Sequence, residues 1–178
     1  MAIDTRAFRQ TASQFATGVT VIAMESGGEI KALTVNSFTT LSLDPPLVLF
    51  GLGKQGRAGQ IIHSTTRFCV NILADHQRDL SAFFAGAWKA PAPPQFSFVK
   101  WEGAPRLEKC PAAIACALHA IHEGGDHWIV VGEVVGLYRS GEDCRPLVFY
   151  RGGYVTLEAP CVKIEDAPIS IAWSGPWG

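Results

Sequence analysis

Apolar and polar positions along this chain follow two periods, and the shorter one dominates. Phe8, Ala12, Phe15 and Ala16 recur at helical spacing behind Asp4 and Thr5, both suitable N-caps, and Gly18 ends the pattern; a short amphipathic helix is expected. Val19 to Met24 is apolar and β-branched, Ser26-Gly27-Gly28 is a turn and Ile30 to Val35 follows, which reads as a hairpin. Leu47 to Leu52 is a third strand. In Arg67 to Leu73, Phe68, Val70 and Ile72 alternate with Cys69 and Asn71, the mark of a strand with two distinct faces. Between these strands a glycine-rich loop leads to a turn of helix over Ala58 to His63. Asp75 to Phe84 returns to helical spacing through Leu80, Phe83 and Phe84, closed by Gly86, and the proline-rich run to Pro94 is a surface excursion. Ala112 to His122 suits either period, and the alternation of Ile114, Cys116 and Leu118 favours a strand. Gly124-Gly125-Asp126 turns the chain into His127 to Val135, whose expected partner is Pro146 to Tyr150, and Tyr154 to Leu157 is a last strand. Six or seven strands joined by short turns, with two or three short helices, argue for an antiparallel barrel.

The stretch from Leu33 to Gly53 stands out within that pattern. Small hydroxyl and amide side chains (Thr34, Asn36, Ser37, Thr39, Thr40, Ser42) precede a break at Asp44-Pro45-Pro46, and an apolar strand follows. A polar cluster against an apolar strand suits a planar ligand edged with heteroatoms; the plainer alternative is a Ser/Thr-rich connection. Gly51-Leu52-Gly53-Lys54-Gln55-Gly56 matches the G-x-G-x-x-G dinucleotide fingerprint, with Asp75 some way beyond. A Rossmann crossover helix there would contain Gly56 and Gly59 and stop by Ser64, too short and too weak, and the rest of the chain offers hairpins in place of βαβ units. Under either fold, exposed backbone N–H groups with Lys54 and Arg57 make a phosphate cradle, unless those two cations are merely solvated.

Composition narrows the function. With 178 residues, one domain with a substantial core is expected, covering residues 1–157 and followed by a proline- and tryptophan-bearing tail over 158–178. A net charge of -1 leaves no basic surplus for nucleic acid. Charged residues make up 17% and apolar ones 48%, more apolar surface than one core hides, so a homodimer is expected. The N-terminus lacks a signal-length apolar run and no stretch reaches membrane-span length, so a cytoplasmic protein without a membrane partner is expected. Cys69, Cys110, Cys116, Cys144 and Cys161 show no paired spacing and read as reduced thiols, with no metal site.

FRQTASQFATGVTVIAM, ALTVNSFTTLSLDPPLVLF, RFCVNILADHQRDLSAFFAG, GDHWIVVGEV and PLVFYRGGYVTL, in this order, resemble the short-chain flavin reductases of two-component monooxygenases over about Phe8 to Leu157. The resemblance implies a homodimeric, antiparallel Greek-key split β-barrel with a few short flanking helices. It implies reduction of FMN or FAD by NADH or NADPH, with reduced flavin passing to a separate oxygenase by diffusion. By the same resemblance, Thr34, Val35, Asn36 and Ser37 bind the ring and ribityl chain, and Leu49, Gly51 and Leu52 wall the ring. Lys54 and Arg57 meet the phosphate, although the family's usual Ser and Thr are missing from that loop. Asn71 lies beneath the cofactor, and His127 and Tyr154 stand near the flavin and nicotinamide rings.

Hydride transfer between two cofactors needs no protein nucleophile, which agrees with the lack of any recognisable catalytic constellation in the sequence. His127 is the candidate catalytic residue, able to donate to a nicotinamide carboxamide or phosphate, or else simply to cap its Gly-Gly-Asp turn. Tyr154 either donates to the flavin or fills the barrel end. Two other activities suit the same barrel: a flavin-binding electron carrier or store, and a flavoenzyme acting on another small molecule.

Overall fold

The computed structural model describes residues 3–157 apart from Asp143, so the expected tail and Cys161 lie outside the described residues. Helix α1 (Thr5–Ala12) starts where Asp4 accepts from the backbone N–H groups of Arg6 and Ala7. Three strands follow: β1 (Thr17–Gly18), β2 (Thr20–Ser26) and β3 (Glu29–Val35), the last two paired as the expected hairpin. β4 (Thr39–Leu43) and β5 (Pro46–Gly53) pair across the Asp44-Pro45 turn, and α2 (Arg57–Ile61) follows. β6 (Arg67–Ile72) leads through a single 3₁₀ turn to α3 (Arg78–Phe84). A two-stranded ribbon, β7 (Phe98–Trp101) and β8 (Ala104–Leu107), precedes the long hairpin β9 (Ala112–Gly124) and β10 (His127–Arg139), and β11 (Val148–Tyr150) and β12 (Gly153–Val155) complete the described chain.

Seven strands form one antiparallel sheet in the order β3-β2-β6-β9-β10-β5-β4. Val35 of β3 and Val48 of β5 sit near opposite edges of that order yet share one core with Ile22, Phe50, Phe68 and Val130, so the sheet curls into a split barrel. A second core lies on the outer face, where Val21, Cys69 and Ala113 meet Ala104 and Leu107 of the ribbon. β2 is thus buried on both faces, which explains its unbroken apolar run.

Three expectations change. β10 does not pair with Pro146 to Tyr150: β9 and β5 occupy its two edges, and β11 pairs with β1 and β12 in a separate sheet. Period alone identifies a strand but not its neighbour. Thr39 to Leu43, expected only as part of a polar cluster or a Ser/Thr-rich connection, forms the edge strand β4, with four of its five residues exposed. The ribbon β7–β8 went unread because four-residue strands give too little alternation, although the turn between them places Glu102 and Gly103 at positive φ. Among the described residues, no helix is long and apolar enough to cross a membrane. Cys69, Cys110 and Cys116 are buried thiols, and burial pushes the Cys116 thiol up to about 12.

Candidate functional site

The predicted residues gather at three neighbouring places around the mouth of the barrel. The first is a rim where β5 meets β10. Strand alternation puts Val48, Phe50 and Leu52 in the core and turns Leu49, Gly51 and Gly53 the other way. His127 pairs with Gly53 and lies over these glycines: a Cβ on Gly53 would stand 3.8 Å from His127 Nε2, and one on Gly51 3.9 Å from its Cδ2. Ser37 reaches across from the β3–β4 connection, accepting from Gly51 N–H at 2.9 Å and donating to its carbonyl at 3.3 Å. His127 Nδ1 is 2.8 Å from Asp126 Oδ1. A carboxylate only accepts, so Nδ1 carries the proton and Nε2 is left beside the glycines. The hydrogen bond from His127, and then its charge, hold the Asp126 carboxyl below the usual carboxylate range.

A cavity of about 210 Å³ is lined by Thr34, Asn36, Ser81 and Tyr154. Thr34 Oγ1 donates to the Ser81 carbonyl at 2.7 Å, and the Tyr154 hydroxyl lies 2.8 Å from Ser81 Oγ. The Arg78 guanidinium is 5.2 Å from the Tyr154 ring centre, and Asn36 Nδ2 donates to Thr17 Oγ1 at 3.3 Å. Tyr154 is thereby tied to α3 at the edge of this cavity and packs against the outer cluster.

The third place is a groove of about 740 Å³, bounded by Lys31 and Leu33 of β3, Leu52 and Gly53 of β5, Arg57 of α2, and phenylalanines of α3 and β7. Arg57 is exposed and makes no hydrogen bond or ion pair among the described residues, although its charge helps to lower the Glu29 carboxyl. Lys31 is paired with Glu29. A further concavity of about 480 Å³, between α3 and the β7–β8 ribbon, is lined by none of the predicted residues.

Three predicted residues are placed elsewhere, and a fourth, Leu52, only edges the groove. Asn71 is fully buried under the ribbon: it donates to the Val21 carbonyl at 3.0 Å and accepts from Leu107 N–H at 2.8 Å, which leaves nothing to offer a cofactor. Being an outward residue of a strand buried on both faces, it stitches β2, β6 and β8 together. Val35 is a core side chain whose carbonyl accepts from Thr20, and Leu52 shows the groove only the edge of a buried side chain. Lys54 does not line the groove beside Arg57; its ammonium lies 3.4 Å from Glu123 and 4.3 Å from the centre of the Trp128 ring. Sequence reasoning missed Lys31, which was hidden inside a strand, and Phe83, Phe84, Phe96 and Phe98, two read as helix core and two following a proline-rich loop.

The groove fits a flavin phosphate and its attached chain. It offers cationic side chains beside apolar walls, and the neighbouring rim offers hydroxyl, imidazole and glycine backbone to a flat ring.

A split barrel with a cation-flanked apolar groove suits a protein that holds a phosphorylated planar cofactor. The chain belongs to the flavin reductase-like family, whose model, "Flavin reductase like domain", matches residues 12–158. It is 40% identical over 161 residues to "Flavin-dependent monooxygenase, reductase subunit HsaB" of Mycobacterium tuberculosis, covering 88% of this chain and 84% of that protein. It is 38% identical over 153 residues to "NADH-dependent flavin reductase" of Rhodococcus sp, covering 84% and 85%. Among solved structures it is similar to "Flavin reductase PheA2 in native state", with TM-score 0.82 and 34% identity over 88% of this chain and all of that one.

Proposed function

We propose that this chain is an NAD(P)H:flavin oxidoreductase that reduces FMN or FAD and supplies the reduced flavin to a separate monooxygenase component. The observation that carries this reading is the family match over residues 12–158, joined to a groove whose charge and walls suit a flavin phosphate. Residues 1–157 act as one flavin-binding domain in a cytoplasmic homodimer, with the tail as a separate segment. Reduced flavin reaches the oxygenase by diffusion.

Bound flavin supplies the hydride-accepting chemistry, so the chain's work is to bind, orient and shield. Thr34, Asn36 and Ser37 present polar groups along the end of β3, and Leu49 and Gly51 give the ring a flat, close approach on β5. Arg57, with Lys31, takes the phosphate. His127, with Nδ1 held by Asp126, turns Nε2 toward the nicotinamide end. Lys54 anchors the β9–β10 hairpin to the phosphate loop through Glu123 and Trp128 and thereby holds His127 over β5.

Purified protein mixed with NADH and either FMN or FAD should lose absorbance at 340 nm only when flavin is present. No flavin-dependent oxidation of NADH or NADPH with any flavin would overturn the assignment.

A further inference from the structure

The groove does not end at its cations. Phe83, Phe84, Phe96 and Phe98 wall it as one edge-packed cluster, with Phe96 at its centre: its ring lies 5.5, 5.0 and 5.7 Å from those of Phe83, Phe84 and Phe98 respectively. A cluster serving only to fill space would be submerged, whereas Phe96 is 38% exposed and the other three are only partly buried. A contiguous aromatic surface open to solvent is a recognition surface. β3 packs against both α2 and α3, so it runs between the cationic and the aromatic flanks.

Chemistry selects the occupant. A ligand that satisfies both flanks carries negative charge for Arg57 and Lys31 and a flat ring for the phenylalanines. FMN ends in a single phosphate and leaves the aromatic wall bare. FAD adds a second phosphate and an adenosine, whose base stacks on aromatic rings regardless of hydrogen-bond pattern. We propose that the phenylalanine wall seats the adenine of FAD, so that this chain takes FAD in preference to FMN; this rests on the flavin reductase reading. NADH carries the same adenosine diphosphate half. FAD is the assigned source because Gly53, which lines the groove, shares its face of β5 with Gly51 of the ring segment.

The test measures dissociation constants of riboflavin, FMN and FAD by quenching of flavin fluorescence, in wild type, Phe96→Leu and Phe96→Tyr. Leucine keeps the apolar packing but removes the flat ring, and tyrosine restores it; circular dichroism confirms that both variants fold. Stacking of one base gives the expected scale: wild type binds FAD about tenfold tighter than FMN, Phe96→Leu loses most of that margin, and Phe96→Tyr keeps it. FMN affinity stays the same in all three proteins. Equal affinity of wild type for FMN and FAD, or a margin that survives Phe96→Leu, overturns the adenine seat while leaving the reductase function standing. If Phe96→Leu raises the KM for NADH and leaves the FAD constant unchanged, the wall belongs to the nicotinamide nucleotide and the assignment to FAD is wrong. Failure of every flavin to bind, together with no flavin-dependent NADH oxidation, removes the reductase reading itself and this inference with it.

Discussion

His127 owes its usefulness to the residue before it. Asp126 is exposed and its carboxyl is lowered by the His127 hydrogen bond and charge, so the sign of its pH dependence is that of a depressed acid. The contribution of the pair is present above the unfolded carboxyl pKa of about 3.9 and is lost as pH falls through the lower folded value. At neutral pH the carboxylate is ionised and keeps Nδ1 protonated, leaving Nε2 free for a ligand. Nε2 lies nearest Gly53, at the end of β5 beyond the Gly51 proposed for the flavin ring, so its removal should be felt on the nicotinamide side. His127→Ala should raise the KM for NADH about two- to tenfold, the scale of one lost hydrogen bond, while the flavin dissociation constant stays within twofold. Equal losses on both sides, or none, in steady-state kinetics and fluorescence titration would strip His127 of this role. Asn71 makes the opposite point. A polar residue in an alternating strand looks like a ligand contact, yet alternation shows only that Asn71 and Cys69 share a face, not that the ribbon covers that face.

At the scale of elements, the loop after β5 is set by how closely α2 approaches it. A Cβ on Gly59 would lie 2.1 Å from the Gly53 carbonyl oxygen and 2.9 Å from that of Lys54, a contact only glycine permits. Gly59→Ala must therefore push α2 off the loop and carry Arg57 with it. The expected outcome is a loss of about 1–3 kcal/mol in urea unfolding together with weaker flavin binding. Unchanged stability and affinity would mean that the close approach does not position Arg57. The glycine-rich run thus serves packing as well as exposing backbone, and its likeness to the dinucleotide fingerprint is incidental: β5 lies between antiparallel β4 and β10, with no crossover to a parallel strand. Hairpin β2–β3, strand β5 and α3 were legible from apolar runs or periods bounded by glycine or proline, and β6 from its alternation alone. β4, β7 and β8 were not, because an edge strand or a four-residue ribbon buries too few side chains to leave a pattern. The polar stretch at the end of β3 was legible from its hydroxyls. The aromatic wall was not, since Phe83 and Phe84 come together with Phe96 and Phe98 only after a turn that carries no periodicity.

For the molecule as a whole, the decisive feature is what remains uncovered. Phe8 and Phe15, expected to be the buried stripe of an amphipathic helix, are 64% and 78% exposed, and α1 buries none of its residues. Leu137 of β10 is 75% and Leu43 of β4 65% exposed. Leaving such side chains in water forfeits about 1.5–3 kcal/mol each relative to burial, a strong drive for a second copy to cover them. A twofold interface uses the same patch on both subunits, so one substitution acts twice. In sedimentation equilibrium the wild-type protein should have twice the mass of the 19.2 kDa chain. Leu137→Glu places two carboxylates in the interface and should shift the protein toward monomer at micromolar concentration. A wild-type monomer at that concentration would refute the dimer, and an intact Leu137→Glu dimer would remove β10 from the interface.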